Sequence, residues 1–349
     1  MSYTLANYLA NKGYRVVFIS HVPKFDERLF FKVGTGEIIV YSWVSKNRPT
    51  TLKDFFWYLK LHFKYKPKTV IGHFVGGNIP IMTSKLFSFG KTQTFDYYHT
   101  ITGAHNEDLN LKQVKYRWFI FRKKMFYHLF CNHIICPSEI SKSDLKNFYN
   151  YTNGVVVVNP MLDRYEESKA VKNTNNIIIS YLGRFEPTKG IVDLITAFNE
   201  FVVSNPNTKI RLQIAGNGSQ EKLIKDLIVK NEDITFFGKI PYADIDEYIR
   251  KSYFTIIPSK FDNLPTVGLE SLMNAIPVLL STNTGLTPYL QDSINCFTFN
   301  PNVKEIMEVF SKVELSMEKY SEMSLNAREF YLEKFSMNEY CESIYKIIK

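Results

Sequence analysis

The chain has 349 residues with a formal net charge of +9, and 45% of them are hydrophobic and 22% charged. This composition is typical of a soluble globular protein, and the length predicts two domains, each long enough to bury a core. No apolar run reaches about 18 residues, so no membrane-spanning helix is expected, and the first 20 residues do not read as a signal peptide.

Cysteine usage and the distribution of charge indicate the surroundings of the protein. Its four cysteines follow neither a metal-binding nor a disulfide spacing, which predicts structural thiols in a reducing cytoplasm. Residues 1–172 carry 25 Lys and Arg against 12 Asp and Glu, whereas the remainder carries 18 against 22. This asymmetry predicts that the first half meets an anionic partner, either a membrane surface or nucleic acid.

Short β-rich runs alternate with helical stretches along the chain. Strands are predicted at 14–20, 36–43, 69–74, 92–100, 133–138, 154–160, 176–185, 209–216, 234–239, 253–259 and 276–281. The polar stretch 163–176 has the composition of a linker. Apolar runs bounded by turns are typical of parallel sheets covered on both faces. The pattern predicts an α/β protein with a first domain at 1–165, a second at 174–325 and a C-terminal helical segment at 326–349.

Basic residues and glycines follow two strands of the second half. In such sheets ligands bind beyond the C-terminal ends of the strands, in the cleft between domains. In "YLGRFEPTKGI", Arg184 and Lys189 lie at and just after the end of a predicted strand. Such a pair can bind a diphosphate, although two solvated basic residues are the simpler alternative. In "IAGNGSQ", Gly216 and Gly218 either bring the backbone close to a ligand or only form the turn.

The stretch "KFDNLPTVGLES" places two acids, Asp262 and Glu270, eight positions apart around a helix start at Pro265. Proline suits the first helical position, and the amides of Thr266 and Val267 would point out of the first turn toward an anion. Taken alone, this stretch is equally compatible with an ordinary junction between a loop and a helix.

Taken in order, "GRFEPTKG", "IAGNGS", "FFGKIP" and "DNLPTVGLESLMNAIPVLLS" resemble the nucleotide-sugar domain of the retaining glycosyltransferases of family 4. The resemblance covers residues 174–300 closely and the first half more loosely. It implies the GT-B fold, in which two Rossmann-like domains with parallel sheets face a central cleft. The Asp262 to Glu270 stretch then matches the E-x7-E motif of that family.

The resemblance also implies roles for individual residues. Asp262 would hold hydroxyls of the transferred sugar, and Glu270 would bind the ribose. Arg184 and Lys189 would stabilise the leaving diphosphate, and His99 would reach the donor sugar from the other domain, with weaker claims for His73 and His105. A strand-end histidine is otherwise more often structural. The remaining donor-binding positions implied are Leu264, Thr266, Val267, Gly216 and Lys239.

Two cations and a helix start aimed at the diphosphate can stabilise the charge that develops there without a metal ion. No cofactor or metal is therefore expected beyond the donor, and "DID" at 244–246 is interpreted as a solvated helix face. The chain departs from the family twice. Asp262 stands where glutamate is usual, and the sequence starts directly in a helix, so the first strand of the N-terminal domain is expected to be missing.

The leading hypothesis is a cytoplasmic enzyme that transfers a hexose-type sugar from a nucleotide sugar to a glycan or lipid-linked acceptor, with retention, in cell-surface polysaccharide synthesis. A nucleotide-sugar epimerase and an inactive sugar-nucleotide-binding protein remain alternatives, whereas no motif supports nucleic-acid binding. The basic, aromatic stretches 52–68 and 111–129 either pack their aromatics in the core or rest on an anionic membrane surface. Arg122, Lys123 and Lys124 would contribute to binding such a membrane surface.

Overall fold

The structure is a computed structural model that describes residues 1–20, 28–46, 48–99, 101–102, 113–166, 172, 175–229 and 231–349. The chain divides into two compact units. The first takes in Met1–His99, Lys112–Pro160 and Met337–Lys349, and the second is built on Met161–Ser336. Residues 161–165, which the sequence analysis assigned to the first domain, therefore belong to the second unit.

The strands of the described residues form three sheets. The first unit contains a three-stranded sheet of order β1-β3-β2 and a four-stranded sheet of order β4-β5-β6-β7, and the second unit contains a six-stranded sheet of order β10-β9-β8-β11-β12-β13. The strands are β1 Arg15–Ser20, β2 Leu29–Val33, β3 Gly36–Ser42, β4 Thr69–Gly72, β5 Gln93–Tyr97, β6 His133–Cys136, β7 Gly154–Val156, β8 Ile177–Arg184, β9 Ile210–Asn217, β10 Ile234–Gly238, β11 Phe254–Ile257, β12 Val278–Ser281 and β13 Cys296–Phe299.

Helices connect most of these strands. They are α1 Ser2–Asn11, α2 Leu52–Tyr65, α3 Asn78–Phe87, α4 Gln113–Phe130, α5 Glu139–Tyr149, α6 Ile191–Ser204, α7 Glu221–Ile228, α8 Ile245–Arg250, α9 Thr266–Met273, α10 Val303–Ser316, α11 Tyr320–Lys334 and α12 Met337–Ile348. Local sequence explains several of their ends. Thr51 and Asp54 form a capping box at the start of α2, and Asn150 ends α5 in the left-handed conformation.

In the first unit, β4 to β7 are parallel throughout, as expected for a sheet with crossover helices. The smaller sheet differs from the prediction, because β2 pairs antiparallel with β3 in a hairpin whose turn includes Gly34 at φ 57°. Helix α1, the first element of the described chain, packs Leu5 and Leu9 into the cluster that contains β5 and α12. Its Ala6 and Ala10 face the smaller sheet.

In the second unit every strand pair is parallel. The chain starts in the middle with β8, builds outward through β9 and β10, and then returns to the other side of β8 with β11, β12 and β13. The core combines these strands with α6 and α10, where Phe198, Phe201 and Phe310 are fully or almost fully buried. The order reverses between β8 and β11, which is where open α/β sheets leave a crevice for ligands.

Candidate active site

The crevice in the second unit lies beyond the paired strands β8 and β11. Strand β8 ends at Arg184, which is exposed, and a single turn of 3-10 helix then carries Lys189. The connection after β11 carries Asp262 and leads directly into α9. Two stretches about 70 positions apart thus meet because their strands are neighbours.

Lys189 and Asp262 form an ion pair here, with Nζ and Oδ2 2.6 Å apart. Both side chains are largely covered, and Ser259 Oγ also donates to Asp262 at 3.5 Å. Gly190 makes the close approach feasible, since its φ is +67° and a Cβ there would lie 2.0 Å from the carbonyl oxygen of Pro258. The basic and the acidic side chain that the sequence analysis assigned to different parts of a donor are therefore held together.

Helix α9 begins at Thr266, with Pro265 as its N-cap residue. The helix therefore starts one residue later than predicted, because Pro265 adopts an extended ψ of 114°. Thr266 and Val267 occupy the first turn, where backbone amides have no acceptor within the helix. Gly268 packs tightly, since a Cβ there would meet Leu286 at 2.5 Å. The start of the helix is thus fixed against the body of the unit and provides donors for an anion.

Glu270 lies inside α9 with only 5% of its surface exposed. Burial raises the pKa of its carboxyl group to about 7, although the nearby Arg164 guanidinium lowers it. Arg164 Nη2 lies 3.7 Å from Glu270 Oε1. The pKa of this carboxyl group therefore lies near neutral pH, well above the usual value for glutamate.

Arg164 is a residue that the sequence analysis missed. Its guanidinium donates to both carboxylate oxygens of Asp246, at 2.7 and 3.1 Å, and Asn274 donates to the same carboxylate at 3.0 Å. Burial would raise the pKa of Asp246, but these bonds more than offset it and the pKa is lowered. Asp246 is therefore an ion-paired residue linked to Glu270. The interpretation of 244–246 as a solvated helix face is wrong for Asp246, whereas Asp244 is exposed.

Three further donor-binding positions were expected from the sequence. Leu264 is buried just before α9. Gly216 has a φ of +144°, and a Cβ there would lie 1.8 Å from the carbonyl oxygen of Gly183, so the turn itself accounts for this glycine. Lys239 is exposed and follows the edge strand β10, two strands away from β8. Their roles toward a donor stay predictions.

His99 belongs to the first unit, where it follows β5. Because β4 and β5 are neighbours, their ends bring His73 and His99 together, with Nδ1 and Nε2 3.4 Å apart. The Phe74 ring stacks on His99, and Tyr97 stacks on His73, both at 4.0 Å. Burial lowers the pKa of His99 to about 4, with a smaller effect of Lys123, so its imidazole is neutral at physiological pH. His105 lies outside the described residues.

The structure thus brings Lys189 together with Asp262, and Arg164 with Asp246 and Glu270, all within the second unit. It pairs His99 with His73 in the first unit. Among the residues that the structure describes, no group of three or more His, Cys, Asp and Glu is arranged to hold a metal ion. None of the helices in the described part of the chain has both the length and the apolar character needed to cross a bilayer.

The fold and this arrangement of strand ends define a GT-B protein of two Rossmann-like units. The family model "Glycosyltransferase Family 4" matches residues 1–164, and "Glycosyl transferases group 1" matches residues 163–330. Together the two models match residues 1–330, and the chain belongs to the GT-B glycosyltransferases of family 4.

Individual relatives are distant. An uncharacterized glycosyltransferase of Methanocaldococcus jannaschii is 25% identical over 61% of this chain, and alpha-monoglucosyldiacylglycerol synthase of Acholeplasma laidlawii is 25% identical over 60%. These matches span 58% and 52% of the lengths of the two relatives. Among solved structures, Anabaena HepE in complex with UDP and glucose superposes with a TM-score of 0.71 and 13% identity, covering 99% of this chain and 95% of that chain.

Proposed function

We propose that the protein transfers a hexose-type sugar from a nucleoside diphosphate sugar to a glycan or lipid-linked acceptor, with retention of anomeric configuration. The observation that carries this proposal is the placement of Lys189, Asp262 and the first turn of α9 at the β8/β11 crevice. Glycosyl transfer separates a positive sugar ring from an anionic leaving group. A cation and backbone amides fixed on the anionic side stabilise that charge where it develops.

The contacts suggest a role for each of these residues. Lys189 and Arg184 would face the leaving diphosphate, and the Thr266 and Val267 amides would bind its oxygens. Asp262 would exchange its bond with Lys189 for hydroxyls of the sugar. Glu270 would accept hydrogen bonds from the ribose once ionised. His99, neutral because it is buried, would contribute a hydrogen bond to the sugar rather than a positive charge.

Metal independence is part of the proposal. The positive charge that a divalent ion would supply comes from Lys189, Arg184 and the helix start. Asp246, one of the two acids of "DID", has both carboxylate oxygens bound by Arg164. Turnover is expected to persist in EDTA. Activity that is lost in EDTA and restored by Mg²⁺ or Mn²⁺ would contradict this assignment.

Relatives suggest which substrates to test first. HepE has been solved with UDP and glucose, which makes UDP-sugars the first donors, and the Acholeplasma relative is named for a glycolipid product, which makes diacylglycerol lipids the first lipid acceptors. A cytoplasmic location at the inner face of a membrane, in the synthesis of cell-surface polysaccharide, would bring the enzyme to a lipid-linked acceptor.

The decisive experiment incubates the purified protein with a panel of nucleotide sugars, with and without acceptors, and measures released nucleotide and sugar products. Nucleotide release that depends on an acceptor and yields a product with the donor's anomeric configuration is expected. A changed sugar that stays attached to its nucleotide would indicate an epimerase. Tight binding without release or product would indicate an inactive sugar-nucleotide-binding protein.

A further inference from the structure

Helix α4 carries an exposed line of large apolar side chains. They are Val114, Trp118, Phe121, Met125 and Leu129, and each is between 42% and 80% exposed. At about 100° per residue, these five side chains fall within about 80° of the helix circumference and extend over about 22 Å of its length. We call this line the apolar stripe. Exposed apolar surface that is contiguous in this way usually marks an interaction site.

Basic side chains border the apolar stripe on both sides. Lys115 and Arg122 lie along one border and Arg117 and Lys124 along the other, since they follow the same 100° steps. All four are exposed. The helix contains no acidic residue in Gln113–Phe130. The outer face of α4 therefore combines an apolar centre with uniformly positive edges.

The opposite face of α4 packs into the first unit. Tyr127 is buried there, and Lys123, about 180° from the apolar stripe, extends over the rings of Tyr98, Phe119 and Tyr149 at 5.2 to 5.9 Å from their centroids. Lys123 therefore cannot act with Arg122 and Lys124 on an outer surface, which corrects the grouping made from the sequence. Because the helix has apolar residues on two opposite faces, its sequence does not show the single apolar face of an amphipathic helix.

We propose that the apolar stripe of α4 lies in the headgroup boundary of an anionic lipid bilayer, with its four bordering cations on lipid phosphates. Trp, Phe and Leu flanked by Lys and Arg form the composition of helices that lie in the membrane interface. A second copy of this chain fits less well, because a twofold pairing of the stripe would bring two sets of positive borders together.

The biological role of this membrane contact rests on the proposed function: the contact would keep the first unit beside a lipid-linked acceptor. It differs from attachment by charge alone, because apolar side chains enter the bilayer. Binding should therefore weaken with salt but persist in part, whereas purely electrostatic attachment is lost as salt screens it.

The test uses the full chain and vesicles of phosphatidylcholine, alone or with phosphatidylglycerol, in flotation and tryptophan fluorescence. Trp118 is 60% exposed, whereas Trp43 is buried and Trp57 partly buried, so insertion should shift the Trp118 emission to shorter wavelength and protect it from an aqueous quencher. Replacing Phe121 and Met125 together by Asp should abolish flotation on both vesicle types. The matched control replaces Leu315 and Leu325, exposed residues of the second unit, by Asp and should change nothing.

Charge reversal separates the electrostatic component of vesicle binding from the apolar component. Arg122→Glu with Lys124→Glu should lower the bound fraction on anionic vesicles by about tenfold or more, and the same charge change at Lys312 and Lys319 should not. Absence of wild-type binding, or binding unaffected by the Phe121 and Met125 changes, would overturn the proposal. A dimer in sedimentation that these changes dissociate would assign the stripe to self-association instead. Vesicle binding needs no nucleotide sugar, so failure of the transferase assay leaves this result interpretable.

Discussion

Lys189 and Asp262, 73 positions apart in the chain, form an ion pair of 2.6 Å at the ends of two neighbouring parallel strands. The pair is covered on most sides, so neither side chain is a merely solvated surface charge. A donor diphosphate would offer Lys189 a second anionic partner, and sugar hydroxyls would offer Asp262 a second set of donors. On the proposed function, the two side chains would exchange this ion pair for the diphosphate and the sugar hydroxyls of a donor.

Lys189→Ala is expected to lower kcat by about 10²- to 10³-fold while changing KM for the donor much less. The reason is that charge on the leaving diphosphate develops in the transition state, where a fixed cation acts most strongly. Arg184→Ala should have the same signature. The control is Lys260→Ala, since Lys260 pairs with Asp193 at 2.9 Å outside this pair and should leave both constants unchanged. Equal losses in donor binding and turnover for Lys189→Ala would contradict the role.

Nucleotide affinity should depend on pH through Glu270. Since burial raises the pKa of this residue to about 7, its carboxylate, the form that accepts hydrogen bonds from ribose, prevails only above that pH. Titration calorimetry should show nucleotide affinity falling about tenfold for each pH unit below 7, whereas an ordinary glutamate would stay ionised. Glu270→Gln should bind weakly at all these pH values, and Glu270→Ala should not bind measurably. A wild-type affinity that is constant between pH 5.5 and 8 would refute this.

The same residue should affect stability with the opposite sign to most carboxylates. Because the folded pKa lies above the ordinary value of 4.5, the folded state binds the proton more tightly than the unfolded state, and the free energy of unfolding falls as pH rises from about 4.5 to about 7. Glu270→Gln removes this dependence and should be more stable than wild type at pH 8 by up to about 3 kcal/mol. Urea unfolding at pH 5 and pH 8 measures it. A Gln variant that is less stable at pH 8 would show that the ionised carboxylate has partners beyond Arg164.

Arg164 should set the pH at which Glu270 becomes a carboxylate. Arg164→Gln removes a guanidinium 3.7 Å from Glu270, so the midpoint of the nucleotide-affinity curve should move upward by about one pH unit. Arg328→Gln is the matched control, because Arg328 makes a similar two-bond pair with Asp163 and should leave the midpoint in place. If both variants moved the midpoint alike, the effect would be a general loosening of the unit.

Local signals in the sequence predicted part of the fold and of the candidate site. Alternating apolar runs predicted both parallel sheets, and strand-end residues such as Lys189 and Asp262 were found because their neighbours along the chain define the turns. Arg164 and Asp246 could not be found in this way. They lie 82 positions apart, and only the fold shows that an arginine in a linker-like stretch covers an acid on a helix. Strands β2 and β13 were not among the strands predicted from the sequence.

The last prediction concerns the two adjacent lysines of α4, which the sequence alone could not distinguish. Lys123 lies among aromatic rings and near Asp96 and Asp144, whose charges raise its pKa while burial lowers it more. A carboxylate in that position would lose the rings as partners and add a third negative charge, so Lys123→Glu should reduce the free energy of unfolding by about 3 kcal/mol or more. Lys124→Glu on the exposed side should change it by less than about 0.5 kcal/mol. Urea midpoints at an unchanged m value measure both, and equal shifts would place Lys123 on the surface with its neighbour.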